Sequence, residues 1–103
     1  MDKIAALREI LDLDPNNSFA RYGVAMELTG RGETDAAIAE FDTLLKNDPN
    51  YTAGYFMAAQ TLANAGRTAP AIARLNDGIA SAKRTNNHHA LSEMQAMLDE
   101  LDQ

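Results

Sequence analysis

One spacing constrains this chain more than any other: it repeats itself at an interval of 34 residues. Asp14-Pro15-Asn16 returns as Asp48-Pro49-Asn50, Ala25 as Ala59, Leu28 as Leu62 and Gly32 as Gly66. Thr34, Ala37, Ile38 and Ala39 return as Thr68, Ala71, Ile72 and Ala73, while Tyr22 becomes Phe56 and Phe41 becomes Leu75. A period of this length marks a stack of small units, none of which buries its apolar face alone. The 103 residues then amount to about three units rather than one globule around a central core.

Each unit reads as two helices. Asn17, after the Asp-Pro-Asn turn, can cap a first helix over residues 18–29 by accepting from its free N–H groups. Gly30-Arg31-Gly32 ends that helix, because glycine tolerates the left-handed conformation just past a helix end. Thr34 is expected to cap a second helix over residues 35–47, and Pro49 prevents its continuation. The second unit follows the same logic: Asn50 or Thr52 opens it, Asn64 to Gly66 breaks it and Thr68 caps its second helix. Pro70 falls in a first turn, where it is tolerated.

Both flanks read as partial units. Within residues 2–13, Ile4, Leu7, Ile10 and Leu11, widened by Ala6 and Leu13, cover a broad arc of one helix, like a second helix without its first. At the other end Leu91, Met94, Leu98 and Leu101 form one stripe, with Asp99, Glu100 and Asp102 outside it, and this helix reads as a cap. A strict repeat would put His89, Ser92 and Glu93 at packing positions, so residues 84–88 are expected to shift the last helix by about two residues.

These residues resemble the tetratricopeptide repeat family, helix–turn–helix units of 34 residues that stack into a superhelix. Its pattern, W-x-x-L-G-x-x-Y followed by A-x-x-x-F and P, falls on Arg21, Val24, Ala25, Leu28, Ala37, Phe41 and Pro49 in the first unit. In the second it falls on Tyr55, Ala58, Ala59, Leu62, Ala71, Leu75 and Lys83. The departures are Arg21 at the tryptophan position, leucine for tyrosine, and Lys83 for proline, which implies that the last second-helix runs past the usual stop. The resemblance spans residues 18–85. It implies an all-α fold, a short right-handed α-solenoid of antiparallel helix pairs with about six helices. The divisions are a half-repeat at 1–17, repeats at 18–51 and 52–85, and a capping helix at 86–103.

The first helix of each unit is apolar on two faces. At 100° per residue Val24, Ala25 and Leu28 group together, and Phe19, Tyr22 and Met26 lie nearly opposite. One face packs the stack; the resemblance implies that the other lines a concave groove for peptides. The candidate binding residues are therefore Phe19, Tyr22, Met26, Phe56, Met57, Gln60 and Asn64, a surface suited to an apolar extended or helical segment. The same side chains could instead be covered by the terminal helix or by a second copy. Ile4, Leu7, Ile10 and Leu11 offer the alternative of a homo-oligomeric interface at an open end of the stack. Relatives that clamp a partner's C-terminal carboxylate use basic and amide side chains on these faces. Tyr22, Met26 and Met57 stand there in this chain, and none can neutralise a carboxylate.

Charge excludes other classes. Fifteen acidic and nine basic residues leave −6, which disfavours nucleic-acid backbones. The charge divides into −5 over residues 1–51, +3 over 52–85 and −4 over 86–103. Arg67, Arg74, Lys83 and Arg84 make the middle basic, either as a surface for an acidic partner or as a solvated face. Cysteine is absent, which removes disulfides, thiolate metal sites and thiol nucleophiles. His88 and His89 point about 100° apart on a helix, and His89 with Glu93 supplies two metal ligands at most. Ser18, Ser81 and Ser92 have no catalytic motif around them. The expectation is a non-catalytic protein without metal or cofactor, whose partner is a protein or peptide. With neither a secretory signal nor an apolar run near ~20 residues, it is expected to be soluble and cytoplasmic, without membrane contact.

Overall fold

The computed structural model describes residues 2–103. Among them run six helices: α1 (Lys3–Leu13), α2 (Ser18–Gly30), α3 (Thr34–Asn47), α4 (Thr52–Asn64), α5 (Thr68–Arg84) and α6 (His88–Leu101). The all-α stack expected from the repeat is present, 42 × 29 × 18 Å in extent.

The turns explain the helix boundaries. At the end of α2 the N–H of Gly32 donates to the Thr29 carbonyl and that of Glu33 to the Leu28 carbonyl. This crossed pair satisfies two free helix-end carbonyls and needs a left-handed residue between, supplied by Gly32 at φ 77°. Gly66, at φ 78°, does the same between Ala63 and Leu62. The turn hands the chain directly into the next helix. Thr34 and Thr68 are therefore the first helical residues and not caps; Glu33 and Arg67 precede them without a side-chain cap. Nor does Asn50 or Thr52 cap α4, whose N-cap is Tyr51, again without a side-chain bond. Asn17 does cap α2, accepting from the Ala20 N–H at 2.9 Å.

Without proline at position 83, α5 continues to Arg84 and closes with the same crossed pair around Asn86, at φ 54°. Asn87 then caps α6 by accepting from Ala90 N–H. The first helices consequently start at Ser18, Thr52 and His88, steps of 34 and then 36 residues, so the shift of about two is present.

Consecutive helices pack in order, and the backbones of α2, α4 and α6 also approach one another in turn, whereas those of α1, α3 and α5 do not. The stack therefore curves toward its first-helix side. Along the other side the gap between second helices is bridged by long ion pairs. Arg8 reaches Glu40 at 2.6 Å, Arg74 reaches Asp42 at 2.8 Å, and Arg67 pairs with Asp35. Most of the basic middle is thus already engaged by the acidic first repeat; Arg84 donates to the Pro49 carbonyl and Asn50. Such partly exposed pairs each contribute about 0–1 kcal/mol. Apolar burial stabilises the stack more, in two clusters: Val24, Ala25, Phe41 and Leu44 lie in one, Tyr55, Ala59, Leu75 and Met94 in the other.

Candidate functional site

Small residues on one face of α4 pack the stack: Gly54, Ala58 and Ala59 are buried. That brings α4 close to its neighbours and leaves its opposite face, with Phe56, Met57 and Gln60, half-exposed between α2 and α6. Two depressions form there. One, about 240 Å³, lies among Tyr22, Ala53, Phe56, Met57, His89, Ala90 and Glu93. The other, about 570 Å³, lies among Phe56, Gln60, Asn64, Glu93, Met97, Glu100 and Leu101. Phe56 and Glu93 border both, so the two adjoin as one groove.

The sequence-derived site is thus divided by the structure. Tyr22, Phe56, Met57, Gln60 and Asn64 come together in the groove. Met26 packs against the first core cluster and Phe19 is 76% exposed at the start of α2; neither borders these depressions. The groove is centred on α4 and α6, one repeat further along than the residues of α2 suggest. Glu93, Met97 and Glu100 are functional candidates that sequence reasoning misses, because α6 reads as a cap. With the start of α6 at His88, Glu93 and Met97 share one helix side at i, i+4 and Glu100 follows one turn later, which is the signal that could find them. Glu100, expected outside the apolar stripe, borders the larger depression.

The self-association candidates are divided as well. Leu11 is 6% exposed, and Ile4 and Leu7 are partly buried against the first core cluster, since the broad arc of α1 is what docks on α2. Ile10 remains outside at 44% exposure, and Leu13 at 91%. The stack ends in polar residues where its interior has alanine. Lys3 stands at the place of the buried Ala37 and Ala71, and exposed Gln95 at the place of the buried Ala25 and Ala59.

Tyr22 is shared between groove and core. Its ring meets Phe41 edge-on at 6.3 Å and Tyr51 at 5.3 Å. Burial, and then the neighbouring Tyr51, raise the Tyr22 phenol above its ordinary value; burial, and then Asp48, raise Tyr51. A raised phenol pKa means that the fold favours the neutral form. This stability is fully present below the unfolded value of about 10 and is lost as pH rises through the folded values. Urea unfolding should therefore show a free energy that falls above about pH 10. Tyr22→Phe and Tyr51→Phe should each flatten that fall, and an unchanged slope in both would contradict this assignment.

His89 Nε2 lies 2.8 Å from Glu93 Oε1, both well exposed. Among the described residues no group of three His, Cys, Asp or Glu side chains could hold a metal ion. No helix among them is long and apolar enough to cross a membrane.

A family model described as tetratricopeptide repeat matches residues 28–98. The chain belongs to the tetratricopeptide repeat family. A tetratricopeptide repeat domain protein from Salinibacter ruber is 30% identical, with 85% of this chain and 89% of that one aligned and a TM-score of 0.79. Two further similar structures share the fold at lower identity. The TPR2B domain of yeast Sti1, in a pHsp70 complex, has a TM-score of 0.88 at 19% identity, covering 96% of this chain and 79% of that one. The Yersinia enterocolitica type III secretion translocator chaperone SycD has 0.86 at 21%, covering 96% and 76%. No curated protein matches in a sequence comparison. In this tetratricopeptide repeat stack the first helices carry two apolar faces, and the face left uncovered on α4 is the one that forms the groove.

Proposed function

We propose that this tetratricopeptide repeat domain is a non-catalytic protein-interaction module that holds an apolar peptide segment in the groove between α4 and α6. The observation that carries the reading is the half-exposed Phe56 ring at the junction of two depressions, with Met57 and Met97 beside it. Aromatic and thioether side chains give adaptable apolar contact, and a concave apolar site with a few amides is the usual form of a ligand cleft. One similar structure is described as a complex with pHsp70 and another as a chaperone, uses that agree with an interaction role. Self-association through α1 has weaker support: Ile10 and Leu13 are exposed, but Lys3 and Gln95 polarise the two ends.

The test is a peptide selected from a random display library, titrated into methyl-labelled protein. The Met57 and Met97 methyl signals should shift, and Phe56→Ala should weaken binding about tenfold or more, as expected for a central aromatic anchor. Helical content measured alongside separates lost binding from lost fold. Selected peptides that bind the Phe56→Ala protein as well as the parent would refute the groove assignment.

A further inference from the structure

We infer that the groove accepts a cationic amphipathic segment, with apolar residues against Phe56 and lysine or arginine facing Glu93 and Glu100. The inference rests on the groove reading above and adds the partner's charge. Three observations carry it. Glu93 lines both depressions and Glu100 the larger one, and neither lining contains lysine or arginine. Each of the chain's arginines has a partner elsewhere: Arg8 and Arg21 on Glu40, Arg31 on Asp2, Arg67 on Asp35, Arg74 on Asp42, and Arg84 on the Pro49 carbonyl. Among the described residues, Glu93 pairs with His89 alone, an imidazole that supplies charge only when protonated, and Glu100 forms no ion pair.

Among the described residues the negative charge of the groove is therefore met by no lysine or arginine. It stands beside an apolar floor, where a carboxylate interacts more strongly with an incoming cation than in open water. It also steers association and rejects acidic segments. Seven residues separate Glu93 from Glu100, a rise of about 10 Å along α6 at 1.5 Å per residue. A helical partner lying alongside meets both with basic residues seven positions apart. A partner presenting its own C-terminal carboxylate finds no lysine or arginine in these depressions.

The experiment selects peptides from an unbiased random library against the whole chain and sorts them by dependence on Phe56. Phe56-dependent peptides should carry an excess of lysine and arginine over aspartate and glutamate. Their affinity should fall about tenfold or more in the Glu93→Gln/Glu100→Gln variant at low salt, and the difference should shrink at high salt. Both glutamates are exposed, so this variant keeps the fold. Phe56-dependent peptides that are neutral or acidic, or that bind the carboxamide variant equally well, overturn the charge inference and leave the groove reading standing. Peptides that ignore Phe56 overturn both.

Discussion

Met94→Ala should cost about 2–5 kcal/mol and free α6 from the stack before anything else unfolds. Met94 is fully buried, and it is the only buried residue of α6 among those described. Its neighbours include Gly78 on α5 and Tyr55 on α4, so truncation leaves a cavity between three helices. A helix at the end of a repeat stack is held from one side, and nearest-neighbour contacts set its stability separately from the rest. Hydrogen exchange should therefore quicken along α6 while α2 and α3 retain protection. Groove binding should fall with it, because Glu93, Met97 and Glu100 form the α6 wall. Uniform loss of protection across all six helices would show that α6 is not an independent unit.

Gly78→Ala should destabilise the domain by about 1–3 kcal/mol, although alanine is the better helix former by about 1 kcal/mol. A Cβ at position 78 would stand 2.6 Å from the Tyr55 Cβ and 2.5 Å from the Met94 sulfur. The sulfur can swing away; the Tyr55 Cβ is anchored to the α4 backbone and cannot. Adding Met94→Ala should therefore fail to rescue the variant. Gly23→Ala is the contrasting case. Its nearest contact, 2.9 Å, is the Leu7 Cδ1 tip, which can rotate, so this substitution should be neutral or mildly stabilising. Thermal unfolding decides: about 4–8 °C of midpoint per kcal/mol is expected for a domain near this size. Equal shifts for the two alanines would refute the distinction.

The Gly78 case shows where sequence reading stops. By the repeat, Gly78 takes the place of Leu44 and Met94, through the longer step, the place of Ala58. Large-to-small and small-to-large exchanges at matching positions look unrelated along the chain. In the stack they are complementary: buried Leu44 shares the first core cluster with Ala58, and Gly78 receives Met94 in the second. The arginine ladder is hidden for a similar reason. Arg67 to Asp35 and Arg74 to Asp42 are both separations of 32, two short of the repeat, so no matching of equivalent positions pairs them. The turns are nearly legible, since Gly32 and Gly66 mark the left-handed sites. The expected threonine caps fail because the crossed hydrogen bonds bring the next helix in one residue early.

The amino-acid order alone determined the repeat length, the six helices, the two-residue shift at the last one and the pair of apolar faces on each first helix. These follow from local chemistry: the reach of a turn, the φ a residue tolerates and the 3.6-residue period of a helix. Tertiary structure decided which uncovered face becomes the groove. Phe19 and Phe56 occupy similar apolar faces, yet only Phe56 has a helix beyond it whose carboxylates complete a cleft. A helical period places a side chain on a face, and whether that face is core, groove or open surface depends on which helix lies across from it.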